Sequence, residues 1–182
     1  MKFLTALLLV LFCSVSFLQA QQHEVPNLLG KQVSAKGGWG NWCPSDYAKA
    51  GAKVVFQDNT IVLTPADTTQ VDIASPTNQQ IIKKLELEAG KAYQLSFATD
   101  SDAEGNFTVN YILSKPPYSS YASKTVKLKA QKQKHVIKFT PKPVKDVYDT
   151  PRSLRFFCGL LNGGQVTISD LVLVEVSHEI EE

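Results

Sequence analysis

After residue 18 this 182-residue chain has no long apolar run, no helix-length amphipathic pattern, no internal repeat and no linker. Nothing there approaches the roughly 20 apolar residues that a membrane-crossing helix needs, so no membrane insertion is expected. Charge of one sign is also lacking: 19 Lys and Arg stand against 17 Asp and Glu. That balance argues against a nucleic-acid partner. Catalytic signatures are missing as well. There is no Gly-x-Ser-x-Gly elbow, and His178-Glu179-Ile180-Glu181-Glu182 lacks the second histidine of a zincin. His23, His135 and His178 have no metal-ligand spacing. Residues 100–105, Asp-Ser-Asp-Ala-Glu-Gly, imitate the start of an EF-hand loop, but its twelfth position is Tyr111 and strand-like segments flank it. They read as a solvated loop between strands. No enzyme activity and no cofactor are expected.

What is present begins with a secretory leader. Lys2 gives the positive start, residues 4–12 an apolar core, and Ser16, Leu18 and Ala20 a cleavage-like end. The expected cut after Ala20 leaves a domain over residues 21–177 and an acidic tail over 178–182, for an extracellular location. Cleavage also removes Cys13. Cys43 and Cys158 then remain, and a lone pair in an oxidising compartment predicts a disulfide. Asn106-Phe107-Thr108 is an N-glycosylation sequon, usable in a eukaryotic host.

Beyond the leader, apolar residues alternate with polar ones. Val54 and Phe56, then Ile61 to Leu63, flank an Asp58-Asn59 turn. Leu85-Glu86-Leu87 leads to a turn at Ala89-Gly90-Lys91. Alternation continues through Tyr93, Leu95 and Phe97, through Phe107 to Leu113, at Val126 and Leu128, at His135, Ile137 and Phe139, and from Val166 to Val176. Period-two patterning with turn signals every dozen residues or so predicts an all-β antiparallel sandwich.

Several segments in order carry a resemblance. They are Asn27-Leu28-Leu29, the tryptophans that follow, and Leu87-Glu88-Ala89-Gly90-Lys91-Ala92-Tyr93-Gln94-Leu95-Ser96-Phe97. The strand over 134–140 and the finish from Leu154 through Gly159 to Val166-Thr167-Ile168-Ser169-Asp170-Leu171-Val172-Leu173 complete them. Together they resemble the carbohydrate-binding modules of the family 4/9/22 type, across essentially the whole mature chain. The resemblance implies a galactose-binding-like jelly roll and a polysaccharide or glycan partner. Two departures stand out. The family's acidic calcium-binding stretch is replaced by Leu29-Gly30-Lys31-Gln32-Val33, so Asp170 lacks partners for a structural calcium, and no metal site is expected. Where the family often has a sugar-stacking tryptophan, this chain has Thr68-Thr69-Gln70-Val71-Asp72.

A sugar presents an apolar face and a rim of hydroxyls, so its site needs aromatic surfaces and planar polar groups. If Leu154, Phe156 and Cys158 face the core, Arg155 and Phe157 face the opposite way. The alternatives are a surface ion pair for Arg155 and burial under a loop for Phe157. Gln94, Thr108 and Asn110 fall on an outward face by the same alternation. Of the two tryptophans, Trp39 is the expected exposed ring and Trp42, beside Cys43, the expected core ring. Tyr118 and Tyr121 lie in a proline-stiffened loop, pre-placed for a ligand or pinning the loop to the sandwich.

Residues 106–145 carry nine lysines and no Asp or Glu. They read as a solvated outer face that discourages edge pairing, or else as an attraction for acidic polysaccharide. Three functions compete. An open groove would favour a non-catalytic carbohydrate-binding protein, and a closed barrel with an apolar cavity would favour a lipocalin-like carrier. The segment Gly37-Gly38-Trp39 suits the carrier, but the strand-like ending and the missing Thr-Asp-Tyr do not. A flat, ringless sheet face would favour a matrix or surface interaction protein.

Overall fold

One long strand organises the molecule. In the computed structural model, which describes residues 25–143 and 151–176, β5 (Ala92–Leu113) runs through both layers of an antiparallel β-sandwich. The expected leader with Cys13, and His23, Lys145, His178 and the expected acidic tail, lie outside the described residues.

The first half of β5 belongs to sheet B. That sheet also contains β2 (Lys53–Gln57), β3 (Thr60–Thr64), β7 (Gln133–Phe139) and β9 (Asn162–Val176), ordered β2-β3-β9-β5-β7. The second half belongs to sheet A. There it joins β1 (Trp39–Trp42), β4 (Gln80–Lys84), β6 (Ser120–Leu128) and β8 (Arg152–Phe157), ordered β1-β4-β8-β5-β6. The topology is the jelly roll.

Residues 100–105 therefore do not form the expected loop; they are the part of β5 that passes from one sheet to the other. Bulges between Ser96 and Ala98 and between Ser101 and Ala103 bend the strand there. Ser101 accepts the Ala103 N–H and donates to its carbonyl, each at 2.9 Å. Gly105, at φ +134°, takes an angle that side chains disfavour. The Asp58-Asn59 turn is as expected, with both residues at positive φ (47° and 58°) between β2 and β3. Leu85-Glu86-Leu87 lies just beyond the end of β4 at Lys84 and leads into the turn before β5.

Inward residues of both sheets build one core. Phe97, Phe107 and Phe156 meet at centroid separations of 5.8–6.1 Å, each pair adding about 0.5–1.5 kcal/mol beyond area burial. These rings, with Leu95, Leu154 and Leu173, occupy the space in which a carrier would hold its ligand. Asn27 ties the start of the described chain to β9. Its amide donates to Leu171 O at 2.9 Å and accepts from Leu173 N at 3.0 Å and Leu29 N at 3.1 Å.

The lysine-rich stretch covers β6 and β7, the edge strands of the two sheets. Each of its eight described lysines is exposed. Charge at an edge opposes pairing with another chain.

Candidate functional site on the outer face of sheet A

Residues directly opposite one another in an antiparallel pair share a face. One rung across sheet A runs Trp42, Gln80, Phe157, Thr108 and Thr125. The next runs Gly40, Ile82, Arg155, Asn110 and Ser123. Leu154, Phe156 and Cys158 alternate with these and enter the core, so both rungs face outward. Above them lies an open groove of about 570 Å³, within the range of ligand sites. Thr77, Ile112, Ser114 and Tyr118 complete its lining.

Arg155 lies at the floor, 9% exposed. Its Nε donates to Ser153 Oγ at 2.9 Å, Nη1 to Gln80 Oε1 at 2.9 Å, and Nη2 to the Ser114 carbonyl at 3.3 Å. Hydrogen bonds to a charged group are worth about 1.5–3 kcal/mol each, so the fork is held in one place. Burial moves its pKa down from the ordinary arginine value, and the nearby Tyr118 phenol opposes that shift. Gln80 is oriented at both ends, since its Nε2 donates to Thr77 O at 2.6 Å. Asn110 accepts from Ser120 Oγ at 2.7 Å, which leaves its amide nitrogen as a donor.

Two rings border this polar floor, Trp42 at 48% exposure and Tyr118 at 51%. Tyr118 sits at φ 55°, unusual for a bulky residue, and its ring centroid is 5.8 Å from the Arg155 guanidinium carbon. A strained residue that presents a ring over a buried cation is the kind of feature found at binding sites.

The structure thus brings together Arg155, Phe157, Asn110 and Tyr118 of the expected residues, and excludes three. Trp39 and Trp42 exchange their expected places. Trp39 is 4% exposed, opposite Lys83 in a rung that includes core Leu154. Three positions further on, Trp42 must face the other way. Gln94 is outward, but its half of β5 pairs with β7 and β9, so it faces out from the opposite sheet. Tyr121 is 6% exposed in the core, 6.1 Å from the Tyr111 ring and beneath Arg152. It pins its strand and does not enter the groove. Sequence reasoning missed Gln80, Thr77, Ile82 and Ser114. Gln80 becomes visible only once β4 is set opposite β8.

Cys43 and Cys158 are free thiols, so the expected disulfide is not formed. Cys158 packs in the main core, whereas Cys43 packs against a separate small cluster of Tyr47, Ala50 and Ala66. Burial pushes the Cys158 thiol up to about 12, and burial with nearby Asp46 raises that of Cys43. Asn106 is exposed on β5 opposite Lys127, two residues before Thr108 on the same outward face.

A second depression, of about 740 Å³, lies near Asn27, Asp58, Asn59 and Asp170 and has no aromatic ring in its lining. Among the described residues no three His, Cys, Asp or Glu side chains converge as metal ligands.

No protein-family model matches the chain, and no curated protein matches it. Solved structures do. A family 4 carbohydrate-binding module superposes with a TM-score of 0.59 at 22% identity, over 76% of this chain and 86% of that one. The second N-terminal cellulose-binding domain of Cellulomonas fimi β-1,4-glucanase C gives 0.61 at 16% identity, over 86% and 98%. A family 29 carbohydrate-binding module variant complexed with cellulohexaose gives 0.50 at 11% identity, over 83% and 89%. At these identities the likeness shows the fold: a jelly roll of the family 4 carbohydrate-binding-module kind.

Proposed function

We propose that this protein is a secreted, non-catalytic carbohydrate-binding protein that holds a poly- or oligosaccharide in the groove of sheet A. The observation that carries this reading is the pair of exposed rings, Trp42 and Tyr118, bordering the fixed polar array of Arg155, Gln80 and Asn110. Rings stack on the C–H faces of sugars while planar polar groups engage the hydroxyl rim. A pre-ordered floor lowers the ordering cost of binding. The leader over residues 1–20 supports the secreted setting, and the neighbours' names support a glycan ligand. The rings on sheet A also favour this reading over a protein-contact role for that face.

The test is calorimetric titration of residues 21–182 with a panel of cello-, xylo-, laminari- and uronate oligosaccharides. At least one should bind, and Trp42→Ala and Tyr118→Ala should each weaken it about ten-fold or more. Unchanged affinity in both variants would remove the groove from consideration.

A further inference from the structure

A buried charge in a protein is normally paired, because neutral hydrogen bonds alone do not repay its removal from water. Arg155 breaks that pattern. It is 9% exposed, and its partners Ser153 Oγ, Gln80 Oε1 and Ser114 O are all uncharged. Among the described residues it takes part in no salt bridge; Lys91, Lys132 and Arg152 are the cations that do. Among the described residues the groove lining contains no Asp or Glu. The rungs around it add cations instead: Lys84 opposite Ser153, and Lys127 opposite Asn106. Among the described residues the site is thus a positive, partly desolvated floor without a counter-charge.

We propose that the ligand supplies that counter-charge: the groove takes a glycan carrying carboxylates, a polyuronate, with one carboxylate received by Arg155. This deepens the carbohydrate-binding reading and rests on it. The three protein bonds use three of the five guanidinium N–H donors. Two remain, one on Nη1 and one on Nη2, the number that the two oxygens of a carboxylate can accept. Trp42 and Tyr118 then stack on the ring that bears the carboxylate or on its neighbour. A neutral glucan would fill the same groove but leave the guanidinium unpaired in a drier setting than before.

The experiment is titration of residues 21–182 at physiological salt with a hexameric oligogalacturonate, its methyl ester, cellohexaose and dextran sulfate. The free acid should bind about ten-fold or more tightly than its ester, which keeps the rings and loses the charge. Arg155→Gln should erase that preference, whereas Trp42→Ala should weaken acid and ester alike. Equal binding of acid and ester overturns the proposal. So does a preference that survives Arg155→Gln but is lost on replacing Lys124, Lys127 and Lys129 with Gln, which would place it on the lysine edge. Dextran sulfate binding as tightly as the uronate through Arg155 would also overturn it. Cellohexaose bound as tightly as the uronate, with loss in Trp42→Ala, would keep the carbohydrate-binding reading and end this one. Absence of binding to every glycan would end both. If Arg155→Gln does not melt cooperatively, the comparison of acid with ester on the unaltered chain decides the matter alone.

Discussion

The Tyr47 hydroxyl donates to the carbonyl oxygen of Gly159 at 3.1 Å. The Tyr47 hydroxyl oxygen in turn accepts from the Ser75 N–H at 3.0 Å. Tyr47 has no exposed surface and stands in the short helix α1 (Ser45–Lys49) that follows Trp42. One buried phenol thus joins the segment after β8, the segment before β4 and the helix beside the groove ring. Gly159 is required at its end of this contact, since a Cβ there would lie 2.1 Å from Ser75 O.

Tyr47→Phe should therefore cost about 1–3 kcal/mol, because it leaves a buried carbonyl and an N–H unpaired. Gly159→Ala should cost more, because backbone and not a flexible side chain must move. Chemical denaturation of both variants tests this; equal stability of the wild type and Tyr47→Phe would remove the phenol from its bridging role.

The two tryptophans should separate stability from binding. Trp39→Ala should destabilise by about 3–5 kcal/mol, the usual cost of emptying a large core site. Trp42→Ala should leave the melting temperature nearly unchanged while weakening the ligand found by the panel. Loss of stability in Trp42→Ala similar to that in Trp39→Ala would contradict their placement on opposite faces.

Acid should weaken the fold through His135. Its imidazole stacks on Phe97 at 4.8 Å and shares a 2.9 Å hydrogen bond with Thr99. Burial lowers its pKa from 6.5. The unfolded state then takes up the proton first as pH falls. The stability that His135 contributes is complete above about pH 6.5 and declines as pH drops through that value toward the lower folded one. Urea midpoints measured from pH 8 to 5 should show the decline, and His135→Phe should flatten that part of the profile. A profile identical in the two proteins would assign the acid sensitivity elsewhere.

The thiols should react in two stages. In the native protein Cys43 is half-buried and reacts slowly with a thiol reagent, while Cys158, sealed in the core, reacts only after denaturation. Cys43→Ser should leave the melting temperature nearly unchanged. A thiol count of zero for residues 21–182 under denaturing, non-reducing conditions would instead reveal a bridge.

Alternation made the strands legible, and with them the outward placement of Arg155 and Phe157, because the side-chain period of two is a property of each strand alone. The Asp58-Asn59 hairpin was legible for the same local reason. Asn110 and Tyr118 were also within reach, one by alternation and one by its loop.

Gln94 and Tyr121 show where local reading stops. Gln94 and Asn110 share a strand and an outward direction, yet they lie on opposite surfaces, because β5 leaves one sheet and enters the other between them. Tyr121 was assigned to a loop but belongs to β6, where its inward direction takes it to the core. The tryptophan exchange has a similar origin. Parity says only that Trp39 and Trp42 face opposite ways; pairing β1 with β4, and β4 with β8, decides which of them meets the core.

By itself, then, the sequence determined the all-β class, the alternating faces and the chemistry available on each strand, since these depend on neighbours along the chain. The tertiary structure decided which strands lie side by side, and so which distant residues form a rung. Gln80 meets Arg155 across 75 positions of sequence, and that pairing, absent from any local pattern, is what gathers scattered polar residues into a candidate site.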